Sequence, residues 1–73
     1  MYVETVSIKG TGVDYVVRAP LSGYKLISAM NASWNDSMVK IIGVSLQGTQ
    51  YIIHFNTNLA NTKTLQTTLL WVQ

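Results

Sequence analysis

Brief turn sequences cut this chain into six short runs, each of them wholly apolar or apolar at every second position, and that pattern accommodates strands and leaves no room for a helix. In residues 2–9, Tyr2, Val6 and Ile8 fall on one face and Thr5, Ser7 and Lys9 on the other. Gly10-Thr11-Gly12 follows and reads as a hairpin turn. In residues 13–19, Val13, Tyr15 and Val17 share a face while Asp14 and Arg18 point the opposite way, and Pro20 and Gly23 close the run. Residues 24–30 make a third segment. Residues 38–46 make a fourth, interrupted by Gly43 where a bulge or a close backbone approach is expected. Gln47-Gly48 is the clearest hairpin corner, residues 50–56 form a fifth segment, and a polar loop over 56–63 leads to the last, 65–72. A spacing of about ten residues per strand with no helical apolar stripe predicts an all-β fold, a small antiparallel β-sandwich in one module spanning residues 1–73. Its predicted core includes Val6, Ile8, Val17, Leu26, Ile41, Ile53 and Leu69.

A chain of 73 residues buries only about 60–65% of its unfolded surface, so its own core is thin. Yet 48% of the chain is hydrophobic and 11% charged, less than half of the usual charged fraction of about 25%. Two segments are apolar on both faces. Ile42, Val44 and Leu46 oppose Val39 and Ile41, and Leu70 and Val72 oppose Leu65, Leu69 and Trp71. A small domain has few fully buried central strands to offer, so the second apolar face predicts a homo-oligomer, with one face packed inside the module and the other against another subunit.

The remaining composition excludes more than it assigns. The chain has no cysteine, so neither a disulfide framework nor a thiolate metal site is expected. No stretch approaches 18 apolar residues, and the opening residues lack a basic stretch followed by an apolar run, so membrane insertion is not expected. The net charge of +2 comes from Lys9, Arg18, Lys25, Lys40 and Lys63 scattered singly, which argues against tracking a nucleic-acid backbone. His54 is the only histidine and sits in an apolar strand, where a hydrogen-bonded structural role is the expectation. The carboxylates Glu4, Asp14 and Asp36 fall in separate segments, no Gly-x-Ser-x-Gly elbow accompanies the serines, and the glycines sit at turns and not in a phosphate-cradling loop. The sequence therefore predicts no enzyme, no metal site and no cofactor.

One segment carries chemistry suited to a sugar. Asn31-Ala32-Ser33-Trp34-Asn35-Asp36-Ser37 joins two apolar strands and sets an indole among amides, hydroxyls and a carboxylate. An aromatic ring fits the apolar face of a pyranose, and planar polar groups meet its hydroxyls. Trp34, Asn31, Asn35 and Asp36 are the candidate ligand-binding residues. The competing reading is an ordinary turn with Trp34 folded over the edge of the core. The polar loop over 56–63 is a candidate contributor to the same end of the module.

The run Ser22-Gly23-Tyr24-Lys25-Leu26-Ile27-Ser28-Ala29, the following polar loop, the stretch Ile41-Ile42-Gly43-Val44-Ser45-Leu46-Gln47-Gly48-Thr49-Gln50-Tyr51-Ile52-Ile53 and the closing Leu65-Gln66-Thr67-Thr68-Leu69-Leu70-Trp71-Val72 resemble the C-terminal modules of bacteriophage tail-fibre and receptor-binding proteins. The resemblance covers most of residues 20–73 and consists of general β-strand vocabulary. It implies a β-sandwich head domain, commonly trimeric, on a virion tail appendage, which binds a cell-surface saccharide or helps its parent fibre assemble. It carries no site residue over, so Trp34 and its neighbours rest on their own chemistry. In a protein of that kind, the glycosylation sequons at Asn31-Ala32-Ser33 and Asn35-Asp36-Ser37 are read as accidental.

Overall fold

The computed structural model describes residues 1–32 and 38–73, in which six strands form: β1 (Tyr2–Lys9), β2 (Tyr15–Arg18), β3 (Lys25–Asn31), β4 (Ile41–Gln47), β5 (Gln50–Phe55) and β6 (Thr64–Val72). They build two three-stranded antiparallel sheets, ordered β1-β6-β3 and β2-β5-β4. The fold is all-β and sandwich-like, with one core between the sheets. Among the described residues only β4 and β5 form a hairpin within a sheet, and the turn carries Gly48 at φ 63°, a left-handed conformation that residues with a Cβ rarely adopt. Gly10-Thr11-Gly12 is not a hairpin turn. There the chain passes from one sheet to the other, because all eight residues of β1 pair with β6 whereas β2 offers only four and pairs with β5.

β6 shows most clearly how sequence alternation becomes a core. Leu65, Thr67, Leu69 and Trp71 face inward and are fully buried, while the alternate Gln66, Thr68, Leu70 and Val72 remain half-exposed on the outer face. Ile8 and Leu26 flank β6 from β1 and β3, and Val16, Ile53 and Phe55 meet them from the other sheet. The Tyr51 ring meets Trp71 edge-on, with centroids 5.8 Å apart and planes at 89°. Of the expected core, Ile8, Leu26, Ile53 and Leu69 are buried, and Val6 and Ile41 pack against them half-buried. Val17 is a correction. It is 50% exposed, and Val16, at 8%, takes its place, since Val16 lies opposite the core residue Ile53 and Val17 opposite Ile52 on the outer face.

Bulges reset the alternation in two strands. The register shifts between Leu26 and Ser28 in β3 and between Ile41 and Gly43 in β4. Ile41 and Val44 consequently both point to the core, opposite Phe55 and Ile53, while Ile42 is 67% exposed. The expected grouping of Ile42, Val44 and Leu46 on one face therefore does not hold, although the bulge itself sits where Gly43 marked it. On β1 the inward series includes Glu4. Its carboxylate Oε1 accepts from the Trp71 indole Nε1 at 3.1 Å and from Arg18 Nη2 at 3.3 Å, so a half-buried charge closes one end of the gap between the sheets. No helix among the described residues is long and apolar enough to cross a membrane.

Candidate functional site

Three connections converge at the end of the module opposite the Glu4–Arg18 pair. The amide of Gly12 donates to Leu59 O at 2.8 Å, that of Leu59 to Val13 O at 3.0 Å, and that of Gly10 to Lys63 O at 2.9 Å, which fastens the loop over 56–63 onto the β1–β2 passage. Asn56 fastens the same loop to the β3–β4 connection. Its amide donates to Lys40 O and its side-chain Oδ1 accepts from Lys40 N, both at 2.9 Å. Leu59, 2% exposed, plugs the core beneath. Gly10 lies directly under the loop, where an added Cβ would stand 2.1 Å from Ala60 O. The backbone is thus held from several directions while Lys40, Asn56, Thr57, Asn58, Asn61 and Lys63 stay exposed. The 56–63 loop thus lies beside Lys40, at the end of the module where the chain enters β4.

Of the residues read as saccharide ligands, Asn31 is described, and its amide is engaged with backbone. Oδ1 accepts from Ile41 N at 2.9 Å and Nδ2 donates to Val39 O at 2.8 Å, so Asn31 clamps the return of the chain into β4. Ala32 is buried and donates its amide to Gln66 O at 2.9 Å, and Val39 is buried in the core. Trp34, Asn35 and Asp36 lie outside the described residues. The segment is therefore anchored at both flanks by Asn31, Ala32 and Val39.

The outer face of β2-β5-β4 carries a second constellation. Ser45 Oγ and His54 Nε2 are 2.7 Å apart, Tyr15 sits opposite His54 in the β2–β5 register, and with Val17, Ile52 and Leu46 they line a shallow hollow of about 490 Å³. This pairing was open to inference from the sequence, since counting outward from the Gln47-Gly48 corner places residues 45 and 54 diagonally across two strands on one face. His54 is hydrogen-bonded, as expected, but at the surface. A hydroxyl bonded to an imidazole resembles part of a nucleophilic relay, which also needs a group orienting the second ring nitrogen and donors for an oxyanion. Among the described residues no carboxylate bonds His54, and no group of three or more His, Cys, Asp or Glu is placed to hold a metal ion. The pair links β4 and β5 beside an exposed tyrosine.

On the side of the module where β1 and β2 are the sheet edges, a slot of about 470 Å³ runs between them, lined by Ile8, Lys9, Val13, Tyr15, Val16 and Arg18 among others. Comparison with protein-family models, with curated proteins and with solved structures gives no match.

Proposed function

We propose that this chain is a non-enzymatic binding module of the phage tail-fibre or receptor-binding type, recognising a cell-surface saccharide with its loop end. The observation that supports this reading most is the cross-bonding of three connections at one end, through Gly12, Leu59, Lys40 and Asn56, beneath a rim of exposed amides and hydroxyls. A rigid scaffold with polar connections is the usual setting of a recognition surface. Trp34 is the aromatic anchor, with Asn35 and Asp36 as its polar partners, and Asn31 acts as the strut that orients the segment. One ring stacked on a sugar contributes on the order of 1 kcal/mol, so a single site is weak, near millimolar. Useful affinity comes from several copies, three by the resemblance, on an appendage of the virion, through effective concentration. The test is binding of the full chain to a glycan array and to whole cells: wild type binds and Trp34→Ala does not, with its melting temperature unchanged. Binding that survives the substitution removes the assignment.

A structural reading, in which the module trimerises or caps a fibre and has no ligand, draws on a different observation. Val3, Ile27, Met30, Ile42 and Leu46 are each at least half exposed, an apolar surface suited to burial between subunits or against a parent protein. A wild-type chain that binds no glycan and no cell yet assembles through these faces favours that reading.

A further inference from the structure

Among the described residues the two sheets end in four edge strands, β1, β3, β2 and β4, and proteins commonly blunt such edges, which offer backbone groups for pairing, with bulges, short strands or proline. Three of the edges here are blunted. β3 and β4 each carry a bulge, and β2 is four residues long and stops shortly before Pro20. β1 differs: it runs eight residues in unbroken register with β6, contains no proline, and has no strand on its other side among the described residues. It also borders the open slot, whereas on the opposite side of the module Asn31 of β3 bonds Ile41 of β4 and closes the gap. The inward-pointing charge of β1, Glu4, would itself discourage pairing, but it is already met by Arg18 and Trp71 of the same chain.

We infer that β1 is a pairing edge for a second copy of this chain, joined as an antiparallel β1–β1 ladder about a two-fold axis that extends β1-β6-β3 into a six-stranded sheet. A two-fold normal to the sheet keeps inner faces on one side, so residues directly opposite must have the same parity. A ladder centred on Thr5 satisfies this. It sets Thr5 against Thr5 of the second copy, Val3 against Ser7, Tyr2 against Ile8 and Glu4 against Val6, so the Glu4 carboxylates do not meet, while Lys9 lies opposite Met1 at the ends of the ladder. The slot beside β2 of one copy then adjoins the same slot of the other across the two-fold. The contact does not depend on the saccharide reading. It joins copies in pairs, so it gives a dimer, or a hexamer where trimers are also formed.

The test is sedimentation equilibrium on the full chain with Thr5→Lys, Thr5→Glu and their equimolar mixture. Thr5 is exposed, so both variants keep the β-type circular dichroism of the folded module. The wild type has twice the 8.1 kDa chain mass, or six times it where trimers pair. Each variant alone falls to half the wild-type mass, because like charges now face each other across the axis, and the mixture recovers it as opposite charges meet. A monomeric wild type, a mass insensitive to both substitutions, or a mixture that does not recover overturns the inference. A trimer indifferent to residue 5 overturns this contact alone and leaves the three-copy assembly standing.

Discussion

Gly10 and Asn31 do the most to define the loop end, each for a different physical reason. At Gly10 the constraint is space. Gly10→Ala forces the Ala60 carbonyl and Leu59 to move, at a cost of about 1–3 kcal/mol, and a urea melt of the variant measures it directly. At Asn31 the constraint is hydrogen bonding. Asn31→Ala removes the side-chain hydrogen bonds to Val39 O and Ile41 N and costs about 1–3 kcal/mol, and Asn31→Asp recovers the acceptor but not the donor. Both Asn31 variants lower the thermal midpoint. Loss of glycan binding at an unchanged midpoint would instead return Asn31 to the role of ligand residue. The sequence singled out Asn31 for its chemistry, but an amide beside a loop satisfies backbone as readily as it meets a sugar, and composition does not distinguish the two.

Strand positions were legible because turn residues and alternating runs coincide; the facing of side chains was legible only where polar residues mark one face as the outer one. In β6, Gln66 and Thr68 mark the outer face even though Leu70 and Val72 share it, and Leu65, Leu69 and Trp71 lie on the inner one. β2 could not, because Val16 and the pair Tyr15 and Val17 offer an apolar residue to either face, and the pairing with Ile53 decides between them. In β4 the bulge shifts the alternation by one residue, so counting by twos across Gly43 fails. The hairpin expected at Gly10-Thr11-Gly12 failed for a third reason: the partner of β1 is β6, at the far end of the sequence, and local turn chemistry says nothing about so distant a pairing. The β2 assignment makes a sharp prediction. Val16→Lys places an unpaired charge against Ile53 and abolishes cooperative unfolding, whereas Val17→Lys on the outer face changes the urea midpoint by no more than about 0.5 kcal/mol equivalent.

At the scale of the whole molecule, a core closed between two three-stranded sheets leaves both outer faces partly apolar, and Leu70 shows the consequence. It lies on the outer face of β6, opposite Val3 on β1 and Ser28 on β3. In the proposed three-copy assembly, Leu70→Lys buries an unpaired charge at the subunit contact and lowers the sedimentation mass, while the isolated module retains its β-type circular dichroism. The loop end and the outer faces are separate surfaces, so recognition and assembly respond to different substitutions. The decisive measurement is therefore cell and glycan-array binding of Trp34→Ala beside wild type at matched assembly state. The saccharide-binding account predicts that binding is lost while sedimentation mass and melting temperature stay at wild-type values. Retained binding with a collapsed melting temperature contradicts it and makes Trp34 a core residue of a structural module.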